Sequence, residues 1–165
     1  MNQKWREMPP VIEVVSVQSA DQLESIRRLF REYSELVSAA LCFQGFDAEL
    51  AGLPGHYAPP DGLLLLARGA EGDAGCVAMK RLDARSAEMK RLFVRSAYRG
   101  TGLGRRLARR IVDEARRAGC SRLVLDTMPH LTEAITLYRS LSFRDCPPYL
   151  AEPTPGALCL ELSLS

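Results

Sequence analysis

The spacing of hydrophobic residues changes several times along the first third of the chain, and each spacing predicts a different element. Val11 to Val17 carries β-branched residues at alternate positions and predicts a strand. Ser19 to Gln22 then offers a capping box for a helix. That helix has a single core-facing stripe, because apolar residues recur at three- and four-residue steps at Leu23, Ile26, Phe30, Tyr33 and Val37.

The middle of the chain predicts an irregular connection followed by three strands. Residues 43–60 are rich in glycine and proline, with one short helix expected at Asp47–Leu53. A hairpin with its turn at Arg68–Ala74 is predicted next, and then a further strand. The three strands are expected at Gly62–Ala67, Gly75–Leu82 and Glu88–Val94.

The last third alternates between helical and strand patterns. One helix face contains Leu103, Leu107 and Ile111, and Gly119 is expected to close that helix. The order of elements predicts a mixed α/β domain over residues 1–165, with an antiparallel meander followed by a strand-helix-strand-helix-strand half. The remaining predictions are a buried strand Arg122–Thr127, a helix Leu131–Leu141, a strand Phe143–Tyr149 interrupted by Pro147 and Pro148, and a half-buried strand Leu158–Leu164.

Length and composition narrow the class of protein. With 165 residues, 47% hydrophobic and 25% charged, the chain matches one soluble globular domain. No apolar run approaches the roughly 18 residues that span a bilayer, so no membrane partner is expected. The amino-terminal segment has no apolar stretch typical of a secretory signal, which predicts a cytoplasmic location.

Cysteine and histidine usage disfavours metal and triad chemistry. The five cysteines contain no C-x-x-C pair, and no histidine stands at metal-ligand spacing, so no metal site is expected. Only His56 and His130 are available as bases for a nucleophilic serine or cysteine. A catalytic triad is therefore disfavoured.

The segment Arg99–Gly104 carries the clearest chemical signal. Glycines between a strand and a helix let backbone N–H groups approach an anion, and the first helical turn leaves donors free. A dinucleotide fingerprint fails at its third glycine, where Arg105 or Leu107 stands, and no P-loop run occurs. The segment instead fits [Q/R]-x-x-G-x-[G/A].

Two motifs together resemble the GNAT superfamily of acyl-CoA-dependent N-acetyltransferases. The first is the run from Met89 to Gly104, and the second is the run from Ala134 to Phe143. The resemblance implies a twisted, mostly antiparallel sheet with two splayed parallel strands and helices on both faces. It further implies acetyl-CoA as cosubstrate, bound between the strands that end at Val94 and Thr127.

The resemblance also implies which residues hold acetyl-CoA. The backbone of the strand end would pair with the pantetheine arm, and the glycine-bearing loop would wrap the pyrophosphate. The cofactor-binding residues implied in this way are Leu92, Phe93, Val94, Arg99, Gly100, Thr101, Gly102, Leu103, Gly104 and Arg105.

Catalytic roles are implied at two positions. Glu88 stands where many relatives place a general base, which the reaction needs because an alkylammonium has a pKa near 10.4. Asp126, on the strand after the cofactor helix, is the alternative base, so the choice between the two stays open. Tyr138 stands at the family position of the tyrosine that protonates the departing thiolate. A backbone N–H freed by a bulge near Val94 would meet the oxyanion.

Two positions depart from the family pattern. Leu131 replaces an asparagine that contacts the pantetheine arm in many relatives, which puts that contact in doubt. Ser142 replaces a glycine at a helix end that favours a left-handed backbone. In the irregular segment that often lines the acceptor pocket of relatives, Phe43, Phe46 and Tyr57 are candidates for either acceptor binding or packing.

The expected partner is a small-molecule amine or a protein amino group. Residues 90–117 contain ten of the 22 basic residues, but the whole chain is only +2 and aromatic residues are not interleaved, which disfavours nucleic acid. A non-catalytic module that binds acyl-CoA is the alternative function. The acceptor and the oligomeric state, a homodimer included, stay open.

Overall fold

The computed structural model describes residues 11–37 and 45–165, and over these ranges seven strands form one sheet. The strands are β1 (Glu13–Ser16), β2 (Gly62–Gly69), β3 (Gly72–Arg81), β4 (Ser86–Val94), β5 (Arg122–Thr127), β6 (Arg144–Asp145) and β7 (Leu158–Ser163). The helices are α1 (Ala20–Val37), α2 (Phe46–Ala51), α3 (Leu103–Arg117) and α4 (Thr132–Ser140), with short 3₁₀ turns at Gly55–Tyr57 and Ser96–Tyr98.

The sheet is antiparallel except at one pair of neighbours. Its strand order is β1-β2-β3-β4-β5-β7-β6, and only β4 and β5 run parallel. A parallel pair needs a long crossover, which α3 supplies between these two strands. The predicted mixed architecture with one parallel pair is confirmed.

Two hydrophobic clusters occupy opposite faces of the sheet. One joins Leu107 and Ile111 of α3 to Leu123 of β5, and it also contains Tyr138 of α4. The other joins α1 and α2 to the opposite face of β2, β3 and β4. Helices therefore cover both faces of the sheet, as predicted. Burying each large apolar side chain in these clusters stabilises the fold by about 1.5–3 kcal/mol.

The start of α1 follows from its sequence. The backbone N–H of Gln22 donates to Ser19 Oγ at 3.2 Å, while Ser19 N–H donates to Gln22 Oε1 at 3.1 Å. These reciprocal bonds satisfy donors that a helix start otherwise leaves unpaired. The predicted capping box is confirmed, and the stripe residues Ile26 and Phe30 are buried.

Most predicted boundaries shift by one or two residues, and three predicted elements differ more from the structure. The hairpin turn is tighter than predicted, because β2 runs on to Gly69 and β3 begins at Gly72. The strand predicted at Phe143–Tyr149 is only Arg144–Asp145, since the prolines that follow have no N–H to donate to a ladder. The first strand spans four residues rather than seven.

Candidate functional site

Strands β4 and β5 separate at one end of the sheet. Their pairing joins Ser86–Glu88 to Arg122–Val124, and beyond it β4 continues to Val94 and β5 to Thr127 with no pairing between them. The outer edges stay bonded to β3 and β7. The inner edges therefore present unpaired backbone groups to a V-shaped gap, as the resemblance implied.

A bulge in β4 lies beside this gap. Cys76 of β3 pairs with Phe93, but Ala78 pairs with Lys90, so Arg91 and Leu92 together oppose one residue. Arg91 has φ of 61°, in the left-handed region. The bulge was predicted near Val94 and lies at Arg91 and Leu92 instead.

The loop before α3 adopts the backbone that its glycines permit. Gly100 and Gly102 have φ of 76° and 82°, conformations that residues with a Cβ rarely adopt. Gly102 precedes α3 and no side chain caps the helix. The first bond within α3 runs from Arg106 N–H to the Gly102 carbonyl, so the preceding amides lack acceptors within the helix. These amides, with the helix dipole, form an anion-binding turn.

A cleft of about 560 Å³ joins the loop to the gap between β4 and β5. Its floor comes from β4, its rim from α3 and its far wall from α4. Nine of the ten residues predicted to bind acetyl-CoA line it: Leu92, Phe93, Val94, Arg99, Gly100, Gly102, Leu103, Gly104 and Arg105.

Thr101 is the predicted residue that does not line the cleft. Its hydroxyl donates to the Tyr98 carbonyl at 2.6 Å, so the side chain holds the turn. The Arg99 Nε donates to the Val94 carbonyl at 3.3 Å, and Arg105 donates to Ser140 Oγ at 2.8 Å, linking α3 to α4. Both arginine side chains are thus held at the mouth of the cleft.

Tyr138 is largely buried beneath the cleft. Its ring packs on Phe143 with centroids 5.8 Å apart. Burial raises the pKa of the Tyr138 phenol, and the charges of Tyr33 and Asp126 raise it further. The phenol therefore keeps its proton at neutral pH, which a general acid requires, although Tyr138 is not itself among the lining residues of the cleft.

Glu88 is fully buried at the base of the gap. Its Oε2 accepts a hydrogen bond of 2.5 Å from the Tyr149 hydroxyl. Its Oε1 has no hydrogen-bond partner, and the Nζ atoms of Lys80 and Lys90 lie 3.7 and 3.8 Å from it. Glu88 lines neither the cleft nor the cavity described next.

Asp126 borders a second, smaller cavity of about 70 Å³. Thr154 donates a hydrogen bond to Asp126 Oδ2 at 3.1 Å. The cavity is also lined by Lys90 and by Tyr33, and Tyr33 lines the large cleft as well. Tyr33 is therefore a wall shared by the two spaces, and the lining of the smaller one includes a carboxylate.

The buried guanidinium of Arg91 lines this cavity too. Its Nε and Nη2 donate to Glu49 Oε2 at 3.1 and 2.9 Å, and it lies over the rings of Tyr33 and Phe46 at 5.8 and 5.5 Å. Burial alone would lower the pKa of Arg91, but the Glu49 carboxylate together with the Tyr57 and Tyr33 phenols outweighs it, and the pKa is raised. Arg91 is therefore a charged and positioned wall of the cavity.

The aromatic residues predicted near the acceptor have separate places. Phe46 contacts Arg91, whereas buried Tyr57 donates to Glu49 Oε1 at 2.6 Å and supports that ion pair from behind. Phe43 lies outside the described residues. His130, considered from the sequence only as a possible base, lines the cleft with its Nε2 3.2 Å from the Leu36 carbonyl.

Sequence reasoning also missed the dual position of Tyr33. Its place on the apolar stripe of α1 indicated core packing, and the ring does pack edge-on against Phe93 at 6.5 Å. Burial raises the pKa of its phenol. A signal existed in the pattern, because tyrosine is the one stripe residue with a polar group to satisfy.

Within residues 11–37 and 45–165, no three histidine, cysteine, aspartate or glutamate side chains cluster as metal ligands would. Over the same ranges no helix is both long and apolar enough to cross a bilayer.

A family model and a related protein sequence both match this chain, and they indicate the same family. Residues 23–143 match the model of the Acetyltransferase (GNAT) family. An uncharacterized N-acetyltransferase of Schizosaccharomyces pombe is 36% identical over 159 residues, which covers 95% of this chain and 98% of the relative.

Solved structures share the fold at lower identity. An acetyltransferase of the GNAT family from Staphylococcus aureus Mu50 has a TM-score of 0.81 at 17% identity, covering 94% of this chain and 100% of that chain. A spermidine N-acetyltransferase from Vibrio cholerae, solved with CoA and spermine, has a TM-score of 0.70 at 15% identity and covers 93% of this chain and 95% of its own.

Proposed function

This chain belongs to the GNAT family of acetyltransferases, and on that premise we propose that it transfers acetyl from acetyl-CoA directly to a primary amine. The observation that carries the proposal is that two neighbouring spaces share Tyr33 in their walls. One is a long cleft with an anion-binding turn at its end, and the other is a small cavity that contains a carboxylate.

The residues of the cleft fit acetyl-CoA, which supplies the acetyl group as a reactive thioester. The amides at the start of α3 would hold the pyrophosphate, with Gly100 and Gly102 keeping side chains out of its way. The inner edge of β4 up to Val94 would pair with the amides of the pantetheine arm.

The amine must lose a proton before it can attack. Two carboxylates remain candidates for the base, and Glu88 stays a prediction from the family position. Asp126 is better supported, because it borders the cavity whereas Glu88 is fully buried and bonded to Tyr149. Asp126 would accept the ammonium proton directly or through water.

The neutral amine then forms a nitrogen–carbon bond to the acetyl carbon as the carbon–sulfur bond breaks. The base has by then passed the first proton to solvent, so it can take the second proton that the nitrogen releases and pass it on in turn. Tyr138 donates its proton to the leaving thiolate and is reprotonated from solvent. One ammonium and one thioester thereby give an amide, a thiol and one free proton, with no covalent acyl-enzyme.

The test is release of CoA thiol in the presence of an amine panel, with mass spectrometry of the acetylated product. Asp126→Asn should lower kcat/KM about 100-fold or more, with a defect that narrows as pH approaches the amine pKa. Glu88→Gln serves as the comparison. An equal or larger loss in Glu88→Gln at unchanged thermal stability would make Glu88 the base. Tight acetyl-CoA binding with no acetylated amine would favour the binding module instead.

A further inference from the structure

The small cavity beside Asp126 has a second charge that acetyl transfer alone does not require. Lys90 lines it, with a side chain that is only 16% exposed. Among the described residues its ammonium makes no hydrogen bond, and its one ionic contact is the 3.8 Å approach to Glu88. Ammonium groups carry three donors, so a half-buried lysine in this state is under-bonded.

Glu88 does not compensate Lys90 by itself. The same Oε1 atom lies 3.7 Å from Lys80, and Oε2 is occupied by Tyr149. Two ammonium groups thus share one carboxylate, which leaves one positive charge unbalanced. The neighbouring Arg91 is matched by Glu49, so it neither adds to nor removes this excess.

Asp126 supplies the opposite charge in the same cavity. Its Oδ2 is engaged by Thr154, and the other oxygen is left for an ammonium. The cavity therefore presents one net positive and one net negative group to whatever enters. Electrostatic complementarity favours an occupant that carries both charges close together.

We infer that the acceptor is an amino acid or a similar compound whose carboxylate binds Lys90 while its amine meets Asp126. This inference rests on the proposed acetyl transfer and adds the class of acceptor. A polyamine is disfavoured, because a second ammonium in this cavity would meet the uncompensated ammonium of Lys90. Two like charges in a partly dry site repel strongly.

The first experiment compares acceptors in matched sets. Purified protein and acetyl-CoA are assayed for thiol release with the twenty L-amino acids, β-alanine and γ-aminobutyrate. Each accepted acid is set beside its carboxamide and its decarboxylated amine, with spermidine as the dication. At least one acid should exceed both of its counterparts that lack the carboxylate by 10-fold or more in kcat/KM.

The second experiment uses two lysines that touch the same carboxylate. Lys90→Met should raise KM for the acid about 10- to 100-fold and leave kcat/KM for its decarboxylated amine within threefold. Lys80→Met removes an ammonium at the same distance from Glu88, but Lys80 does not line the small cavity. It should keep the preference for the acid. Unchanged acetyl-CoA affinity in both variants shows that they are folded.

The outcomes separate the acceptor class from the reaction. Decarboxylated amines or spermidine that match or exceed the acids would overturn the carboxylate inference and leave acetyl transfer standing. If Lys80→Met and Lys90→Met reduce the preference for the acid equally, the carboxylate inference is also overturned, since the preference would then depend on Glu88, which both lysines approach. If acetyl-CoA binds but none of the amines causes release of the CoA thiol, the proposed function is overturned and this inference with it.

Discussion

Replacing Gly102 by alanine tests whether the turn before α3 holds the diphosphate of acetyl-CoA. Gly102 has φ of 82°, and a Cβ built there meets nothing within 4 Å. The substitution therefore causes no clash inside the protein. Its costs are the left-handed backbone and the intrusion of a methyl group into the cleft that Gly102 lines.

Each cost has a magnitude. A left-handed backbone costs a residue with a Cβ about 1–2 kcal/mol. In a domain of this size each kcal/mol lowers the melting temperature by about 2–4 °C, so a loss of roughly 2–8 °C is expected. A hydrogen bond to a charged group contributes about 1.5–3 kcal/mol, so losing one amide contact should weaken acetyl-CoA binding about 10- to 100-fold.

Two other glycines provide matched controls. Gly119 has φ of 81° and open space around its Cβ position, but it lies at the far end of α3. Gly119→Ala should cost the same stability and leave acetyl-CoA affinity unchanged. Gly104→Ala places its Cβ 3.5 Å from Leu137 and 3.8 Å from Val94, which are ordinary contacts, and alanine is the alternative residue in the motif. It should bind normally and gain up to about 1 kcal/mol of stability from helix propensity.

Calorimetric titration with acetyl-CoA measures the affinity of the three variants, and thermal unfolding measures their stability. If Gly102→Ala loses no more affinity than Gly119→Ala, the effect is backbone strain alone and the turn does not hold the ligand.

Three further predictions concern other parts of the site and the fold. Tyr138→Phe should lower kcat about 100-fold at pH 7, and the defect should shrink above pH 8.5, where the thiolate leaves without a proton; a pH-independent defect would argue against the general acid. Ser142 has φ of 74°, so Ser142→Gly should raise the free energy of unfolding by about 1 kcal/mol, measured by urea denaturation. The comparison is Ser140→Gly at the last residue of α4, where glycine should destabilise because the bond from Arg105 is lost. Burial raises the pKa of the Tyr149 phenol in the folded protein, and the charge of Glu88 raises it further. The stability that Tyr149 contributes is therefore complete below its unfolded pKa near 10 and is lost as the pH rises beyond that value. Tyr149→Phe should flatten the decline in melting temperature between pH 9 and 11.

Local patterns predicted the elements best where one segment contains the whole signal. The strand predicted at Arg122–Thr127 matches β5 residue for residue, because its apolar run is bounded by turn residues at both ends. The hairpin turn was predicted too long, since Arg68 and Asp73 resemble turn residues in sequence. In the structure they pair across β2 and β3 with an ion pair of 3.4 Å. Cross-strand partners of this kind extend a hairpin beyond its local signal.

The large cleft and the small cavity, the two halves of the site, also differ in how far local sequence predicts them. The proposed acetyl-CoA site is contiguous, so one segment of the sequence predicted nine of the residues that line the cleft. The small cavity takes Tyr33 from α1, Lys90 from β4, Asp126 from β5 and Thr154 from the segment before β7. No local pattern relates four segments so far apart, and only the fold brings them together. Thr101 shows the converse limit, because a motif position can serve the turn rather than the ligand.

The bulge in β4 places side chains in both the large cleft and the small cavity. Regular alternation would send Lys90 and Arg91 to opposite faces of the sheet. Because the bulge sets Arg91 and Leu92 together against Val77, both cations face α1, while Leu92 packs towards the α3 side and lines the cleft. A strand without the extra residue would lose either the wall of the small cavity, the proposed acceptor site, or the floor of the cleft, the proposed acetyl-CoA site. The left-handed φ that the bulge imposes costs arginine about 1–2 kcal/mol, and the two hydrogen bonds from Arg91 to Glu49 offset it.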